Sequence, residues 1–178
     1  MFKSIFSKNF TVMSLVIVTS FLAMGGMQML FSTRYWVSEK RLLLSENARN
    51  VAEFTVSNMV QNPADPNSYI LSSGTETILQ LLSTAVDGTA VVVDNQYTVV
   101  ASSVRSLVGQ TLSDSVQNKI AGSGEEYFSV DDFGGLYASQ QYTVGVPMKS
   151  GNLRIGYVFM STSAQSMGAY VGDNLQVF

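Results

Sequence analysis

The chain has 178 residues and a net charge of −3, enough length for one ordinary domain plus a membrane segment. An acidic chain without a Lys/Arg cluster does not fit a nucleic-acid-binding protein, which needs a basic face. Cysteine and histidine are both absent, which excludes Ser-His-Asp and Cys-His catalysis, thiol chemistry and histidine-ligated zinc within this chain. We predict no cofactor. If the chain is an exported enzyme, the mechanism that remains is catalysis by carboxyl groups.

The first predicted element is a membrane-spanning helix over residues 10–31, where no side chain is charged. A helix of this length extends about 33 Å and exceeds the roughly 30 Å hydrocarbon core of a bilayer. The alternative is a cleaved signal peptide, with the small residues of Ala23-Met24-Gly25 at the cleavage site. An anchor is favoured because apolar residues continue through Met27 to Phe31, beyond the length of a usual signal core.

The charges beside this helix predict its orientation. Lys3 and Lys8 precede it, and Arg34 follows it before a run of mixed charges. A short basic segment before a membrane helix usually stays inside while the larger C-terminal part is exported. We therefore expect residues 1–9 in the cytoplasm, the helix in the plasma (inner) membrane, and the rest of the chain outside.

Beyond the membrane segment the helical pattern continues to about Val60. Apolar and small residues recur every three or four positions, which is the period of a helix, and nothing breaks the pattern before Asn62-Pro63. This stripe would pack against the chain's own domain, against the same helix of a second subunit, or against both. It consists of Leu44, Ala48, Val51, Thr55 and Met59.

The remaining sequence predicts an α+β domain around one antiparallel sheet of five strands. Residues 62–75 are predicted as a loop, and residues 164–178 as a helix that leads toward a second membrane helix. Between them, β-branched runs separated by polar turns indicate strands, and Ser113 caps a helix. The predicted helices cover 76–85 and 114–121, and the predicted strands cover 89–94, 97–101, 126–130, 136–148 and 153–161.

Two stretches of sequence resemble a known class of domain. The hairpin AVVVDNQYTVVASS, followed by Val108-Gly109, and the closing pair YTVGVPMKSGNLRIGYVFMST are similar to strands of extracytoplasmic PAS-like sensor domains of the PDC/Cache group. The resemblance implies a sensor domain over residues 32–163 of a bacterial membrane sensor histidine kinase, cut before the second membrane helix. Because the chain has no phospho-accepting histidine, the resemblance implies kinase activity only in a longer parent receptor.

The resemblance also implies that a ligand lies between the sheet and the helix–loop layer that covers it. There Arg105 could meet a carboxylate, and tyrosines could line a cavity with rings and hydroxyls; the alternatives are a solvated arginine and ordinary strand aromatics. Asp131 and Asp132, with Glu125 and Glu126 nearby, lack the spacing of a calcium loop, so we predict no metal site. The candidate ligand-binding residues are Arg105, Tyr127, Ser129, Tyr137, Ser139 and Tyr142.

The functional hypothesis is an extracytoplasmic signal-sensing module of a membrane receptor, resembling the sensor part of a two-component histidine kinase. The expected partners are a small-molecule or peptide signal, the membrane and a second copy of the chain, with no nucleic acid. The alternatives are a chemoreceptor-type sensor fragment and an anchored structural or adhesive surface protein without a ligand. A ligand-free protein would show neither an enclosed cavity nor a thermal shift with small molecules.

Overall fold

A computed structural model describes residues 5–62, 65–70 and 72–164. The chain divides into two compact units, Met1–Lys40 and Arg41–Phe178. The helices are α1 (Ile5–Ser57), α2 (Ser73–Ala85) and α3 (Asp114–Ala121), with a short 3-10 turn at Arg105–Leu107. The strands are β1 (Val60–Asn62), β2 (Asp65–Ile70), β3 (Gly88–Asp94), β4 (Val99–Ser102), β5 (Tyr127–Asp131), β6 (Gln141–Ser150) and β7 (Leu153–Ser163).

The first unit contains the predicted membrane segment. The stretch Ser7–Phe31 of α1 is a helix long and apolar enough to cross a membrane. Its hydroxyl groups bond within the helix, because Thr11, Thr19 and Ser20 each donate to the carbonyl oxygen four residues earlier at 2.8 Å. An exposed apolar surface with internally bonded hydroxyls suits lipid, as predicted for an anchor.

The second unit is built around a five-stranded antiparallel sheet, which confirms the prediction. The strand order is β4-β3-β7-β6-β5, so the last strand lies at the centre. β6 and β7 pair over their whole length, from Gln141↔Ser163 to Ser150↔Leu153. Side chains alternate between the two surfaces of the sheet. We call the surface that faces α1 and α2 the helix face, and the opposite surface the loop face.

The helix face carries the core that holds the C-terminal part of α1. Leu44, Ala48 and Val51 of the predicted stripe are fully buried. They share one hydrophobic core with Val92 and Val158 of the central strands. Fully burying a side chain such as leucine or valine contributes about 1.5–3 kcal/mol. The stripe therefore packs against its own domain, which is one of the two predicted arrangements.

Several predicted boundaries differ from the structure. α1 ends at Ser57 instead of about Val60, because the Asn58 side chain caps its last turn at 2.8 Å from a carbonyl oxygen.

The predicted loop over 62–75 is wrong in part, since β2 lies within it and pairs antiparallel with β1. Its sequence, DPNSYI, has turn-like composition, and strand pairing overrides that local preference. The predicted C-terminal helix lies outside the described residues from 165 onward.

The predicted strand over 136–148 is wrong at its start. β6 begins at Gln141, and residues 136–140 belong to a loop. Within this loop the backbone N–H of Tyr137 donates to the carbonyl oxygen of Asp132 at 3.0 Å, which closes the chain on itself. This local closure replaces the strand pairing that the sequence pattern predicts.

Candidate functional site

The loop face is covered by α3 and the connections around it. α3 begins after Ser113 as predicted, although the Ser113 hydroxyl lies 3.1 Å from the Ser115 hydroxyl and makes no cap hydrogen bond. Val116 and Ile120 of α3 are buried in the core of this face. At its centre several rings pack together, and we call them the aromatic cluster: Tyr97, Tyr127, Phe133, Tyr137, Tyr157 and Phe159.

A glycine on β6 provides the space in which two of these rings meet. Gly145 pairs with Tyr127 on one side and with Phe159 on the other. The two rings meet edge to face with their centroids 5.9 Å apart. A Cβ atom at position 145 would overlap the Phe159 ring and lie 3.2 Å from Tyr127 Cβ, so the packing requires glycine here.

The segment from the last residue of β5 to the start of β6, residues 131–140, closes over the aromatic cluster, and we call it the strap. Three consecutive residues in it have positive φ, namely Phe133 (52°), Gly134 (67°) and Gly135 (87°). For a residue other than glycine this conformation costs about 1–2 kcal/mol. It places the Phe133 ring, only 1% exposed, with its centroid 4.9 Å from that of Phe159. The strap therefore inserts a ring of its own against the sheet.

Asp131 fastens the strap at its first residue. Its Oδ1 accepts hydrogen bonds from Phe133 N at 2.9 Å and from Ser129 Oγ at 3.1 Å. Its Oδ2 forms an ion pair with Lys119 Nζ of α3 at 3.0 Å. Burial alone would raise the pKa of the Asp131 carboxyl, but the Lys119 ammonium and the Phe133 amide outweigh it and hold that pKa below its usual value.

Removing the Asp131 charge should change how stability depends on pH. A carboxyl with a lowered folded-state pKa stabilises the fold above its unfolded-state pKa of about 3.9, and this contribution is lost as the pH falls through the folded-state value. We expect Asp131→Asn to lose about 1 kcal/mol of unfolding free energy at neutral pH, and the difference to shrink below about pH 4. Urea unfolding at neutral and acidic pH measures this, with the exposed Glu46→Gln as control. A loss of unfolding free energy in Asp131→Asn that is the same at neutral and acidic pH would contradict a stabilising role of the Asp131 charge.

Buried hydroxyl groups line the same face beside the rings. Tyr137 Oη accepts a hydrogen bond from Ser161 Oγ at 2.9 Å, and Ser161 Oγ lies 3.0 Å from Thr143 Oγ1 on the neighbouring strand. Burial raises the pKa of Tyr137 to about 12, and the Ser161 hydroxyl acts in the opposite direction. The Tyr137 phenol therefore stays protonated well above physiological pH.

Tyr127 carries one of two buried hydroxyl groups that lack a hydrogen-bond partner among the described residues; the other belongs to Thr55 of α1. The Tyr127 side chain is only 3% exposed. Burial raises the pKa of Tyr127, while the nearby Ser129 hydroxyl acts in the opposite direction. A buried hydroxyl left unpaired costs about 1–3 kcal/mol. Tyr127 Oη therefore stands to gain from a polar contact with a bound molecule.

The structure brings together some of the predicted ligand-binding residues. Tyr127 and Ser129 of β5 share the loop face with Tyr137 of the strap. Ser139 also lies in the strap, where its Oγ accepts a hydrogen bond from Gln141 Nε2 at 3.2 Å. That these four residues bind a ligand stays a prediction.

The other two predicted residues lie elsewhere. Tyr142 packs against the core of the helix face, because side chains alternate along β6 and the loop face is taken by Thr143. The expectation that Tyr142 shares a cavity with Tyr127 and Tyr137 is therefore corrected. Arg105 is exposed in the 3-10 turn, and no described residue forms an ion pair with it, which matches the alternative of a solvated arginine.

Three residues that fill the loop face were not predicted from the sequence. The signal for Phe133 is the Phe-Gly-Gly run after two aspartates, because glycines that permit positive φ allow a large apolar side chain to turn inward. The signal for Phe159 and Ser161 is alternation along β7, which puts both on the same side as Tyr157.

Glu126, which immediately precedes β5, joins this strand to α1. Its Oε1 accepts a hydrogen bond from Arg41 Nε at 2.9 Å, and its Oε2 accepts one from Ser45 Oγ at 2.7 Å. The Arg41 guanidinium also lies 4.9 Å from the centroid of the Phe128 ring. Burial would raise the pKa of Glu126, but the hydrogen bonds from Ser45 and Arg41 hold it below its usual value. Glu126 thus links the strand that carries Tyr127 to the helix.

The acidic residues singled out in the sequence do not converge on one point. Three of them form separate ion pairs: Glu125–Lys149, Glu126–Arg41 and Asp131–Lys119. Within the described ranges, no group of three or more acidic side chains is arranged to hold a metal ion. These carboxylates join structural elements.

An open cleft of about 450 Å³ lies on the helix face, between α1 and β6. Its charged lining residues are Arg49, Glu53, Glu125 and Lys149. The apolar part of its lining includes Ala52 and Val146, which belong to the core of the helix face. The sheet therefore separates this cleft from Tyr127, Ser129 and Tyr137.

Comparison with protein families identifies the class to which this fold belongs. The family described as single Cache domain 3 matches residues 39–172, which is most of the chain. The chain belongs to the single Cache domain family. It is an extracytoplasmic sensing module with the PAS-like α+β fold predicted from its sequence.

Solved structures show similar folds at low sequence identity. The E. coli DcuS sensor domain is 17% identical with a TM-score of 0.47, over 71% of this chain and 98% of that chain. The sensor domain of the V. cholerae histidine kinase DctB is 14% identical with a TM-score of 0.45, over 84% of this chain and 55% of that chain. The cofactor-binding GAF domain of the nutrient sensor CodY from Clostridium difficile is 15% identical with a TM-score of 0.39, over 50% of this chain and 69% of that chain. Comparison with curated proteins gave no significant match.

Proposed function

We propose that this chain is the sensing part of a membrane receptor of the sensor histidine kinase type, and that it receives its ligand on the loop face under the strap. One observation carries the proposal: a glycine-containing loop covers buried hydroxyl groups and leaves Tyr127 Oη without a partner. Lifting the strap would expose Tyr127 and Ser129 of β5 and would move Tyr137, which belongs to the strap. The chain has no histidine, so phosphate transfer would belong to another part of the receptor.

The proposed signal passes from the loop face to α1 across the sheet. Tyr127 lies on the loop face, while the preceding residue, Glu126, accepts hydrogen bonds from Arg41 and Ser45 of α1. Ligand binding that shifts β5 would therefore change the contacts of α1. A ligand moves such an equilibrium only by its difference in affinity for the two packings, and couplings between sites typically amount to about 1–3 kcal/mol.

A homodimer through the outer surface of α1 belongs to the same proposal. Leu42 and Leu43 are 60% and 41% exposed, although the buried stripe of the helix continues beside them. The same helix of a second copy, related by two-fold symmetry, would cover these leucines with an identical surface.

The proposed topology places residues 1–9 in the cytoplasm and the sheet domain outside the plasma (inner) membrane. Because the chain has no cysteine, single introduced cysteines report on each side without background. We expect a membrane-impermeant maleimide to label Gln110→Cys, at an exposed position, in intact cells. Ser4→Cys should react only after lysis. The opposite labelling pattern would show that the orientation is reversed.

A second function, an anchored surface protein without a ligand, is favoured by one observation: the Phe133 ring already fills the space between strap and sheet. Thermal unfolding of the full chain in lipid nanodiscs separates the two functions. A sensor is stabilised by fractions of the small-molecule pool that contain its ligand, by about 2.7 kcal/mol at a hundredfold excess over Kd. A ligand-free surface protein shows no shift with any fraction, and that result would refute the sensor proposal.

A further inference from the structure

One side of α1, next to its buried stripe, carries charged residues that have no ion-pair partner in their own domain. The residues on this side follow one another at alternating spacings of four and three, which is the repeat of a coiled-coil seam. Glu46, Arg49 and Glu53 at its centre are exposed, and none of them forms an ion pair within the part of the chain that the structure describes. We call this row the charged seam: Leu42, Glu46, Arg49, Glu53 and Val56.

Two hollows border the charged seam, and Arg49 contributes to both of them. The cleft of about 450 Å³ between α1 and β6 includes Glu53 and Val56 in its lining. The second hollow, of about 420 Å³, is lined by Leu42, Ser45, Glu46, Arg49 and Asn50. Side chains of a second helix enter spaces of this kind when two helices pack side by side.

The order of charges along the seam is complementary to a second copy of the same seam. Arg49 lies three residues after Glu46 and four before Glu53, so a glutamate lies one helical turn away on either side. When two copies of α1 pack in the same direction around a two-fold axis, the long Arg49 side chain of each copy reaches these glutamates of the other. Glu125, the other carboxylate in the cleft, is already paired with Lys149 at 2.7 Å.

We infer that the charged seam selects a second copy of this chain as the partner of α1, through ion pairs of Arg49 with Glu46 and Glu53 of the partner subunit. This inference rests on the proposed function, because it names the residues that hold the proposed homodimer together. Leu42, 60% exposed at one end of the seam, would be covered by the partner's leucine at the same position.

Disulfide crosslinking measures this pairing, because the chain has no cysteine of its own. In the full chain in membranes, Leu42→Cys places two thiols across the two-fold axis, so mild oxidation should give a linked dimer. Adding Arg49→Glu makes the centre of the seam acidic throughout. We then expect about tenfold less linked dimer, because two symmetry-related attractions become repulsions. Glu76→Lys, a charge reversal at an exposed position of α2, should leave the yield unchanged.

Co-expression of two oppositely charged variants, both carrying Leu42→Cys, separates charge selection from a general loss of packing. One variant carries Arg49→Glu, and the other carries Glu46→Lys and Glu53→Lys with a tag that changes its size. Each alone should crosslink weakly, whereas the two together should form the mixed dimer about as well as the parent chain.

Two results overturn the inference and leave the proposed homodimer standing: an undiminished yield with Arg49→Glu, or a mixed dimer no more frequent than random pairing gives. The control for the homodimer itself is Leu81→Cys, at a position of α2 that is 69% exposed. If Leu42→Cys crosslinks no better than Leu81→Cys, the homodimer through α1 is refuted together with the inference. The thermal shift with small molecules tests the sensing part of the proposed function separately.

Discussion

Replacing Phe133 with alanine should lower the free energy of unfolding by about 3 kcal/mol. The ring is only 1% exposed and packs at the centre of the aromatic cluster, so its removal leaves a cavity that the rigid sheet beneath it cannot fill. The positive φ at this position partly offsets the loss, since alanine adopts it with less crowding than phenylalanine. Urea unfolding of the full chain, followed by circular dichroism, measures the difference.

The matched control for this substitution is Val130→Ala. Val130 lies on the same strand as Tyr127 but is 43% exposed, so its truncation should change stability by less than about 0.5 kcal/mol. A loss at Phe133 that is no larger than the loss at Val130 would mean that the strap does not pack on the sheet as described.

Gly145→Val should be comparably damaging for the opposite reason. A Cβ at position 145 already overlaps the Phe159 ring, and the two further methyl groups of valine have no free space between Phe159 and Tyr127. Overpacking of this kind typically costs about 1–3 kcal/mol, and we expect the upper end because β6 lies inside the sheet and cannot move aside. Thermal unfolding of the full chain in nanodiscs measures the loss.

The control for Gly145 is another glycine of the same domain. A Cβ at Gly122 would meet only ordinary contacts, 3.7 Å from Asn118 O and 3.8 Å from Lys119 O, and its φ of −85° suits any residue. Gly122→Ala should therefore be nearly neutral. Similar unfolding temperatures for the two variants would contradict the close packing of Tyr127 and Phe159 at Gly145.

The sheet and the long helix could be predicted from the sequence because both follow regular patterns. The stripe from Leu44 to Val51 repeats with the helical period, and the buried run of β3 is β-branched and followed by a turn that Asp94 stabilises. Asp94 Oδ1 accepts hydrogen bonds from the backbone of Gln96 at 2.8 Å and of Thr98 at 2.9 Å, as expected for a residue that ends a strand.

The site could be predicted only in part because it depends on an irregular segment. Residues 131–140 have the sequence pattern of a turn followed by a strand. The course of the strap is set instead by positive φ at Phe133 and by contacts with α3 such as the Asp131–Lys119 ion pair, which follow no regular sequence period. The alternation of side chains along a strand would by itself have placed Tyr142 on the opposite side from Tyr137. Residues five positions apart in one strand face opposite sides, so Tyr137 and Tyr142 could not have shared a cavity as parts of a single strand.

In the proposed mechanism, the two faces of the sheet connect the ligand site with the part of α1 that packs on the sheet, residues 41–57. Phe159 lies in the core of the loop face, while its neighbours Val158 and Met160 lie in the core that contains Leu44 and Val51 of α1. Since the interior is close-packed, a displaced side chain on one face changes the packing available on the other. Coupling of this kind requires no direct contact between the ligand and α1.

The central claim is that a molecule bound under the strap alters the packing of α1 on the other side of the sheet. Hydrogen–deuterium exchange of the full chain in nanodiscs tests it, with and without a small-molecule fraction that raises the unfolding temperature. The account predicts that exchange changes together in the strap, residues 131–140, and in residues 41–57 of α1. A change confined to the residues that line the cleft around Arg49, with the strap unaffected, would contradict it.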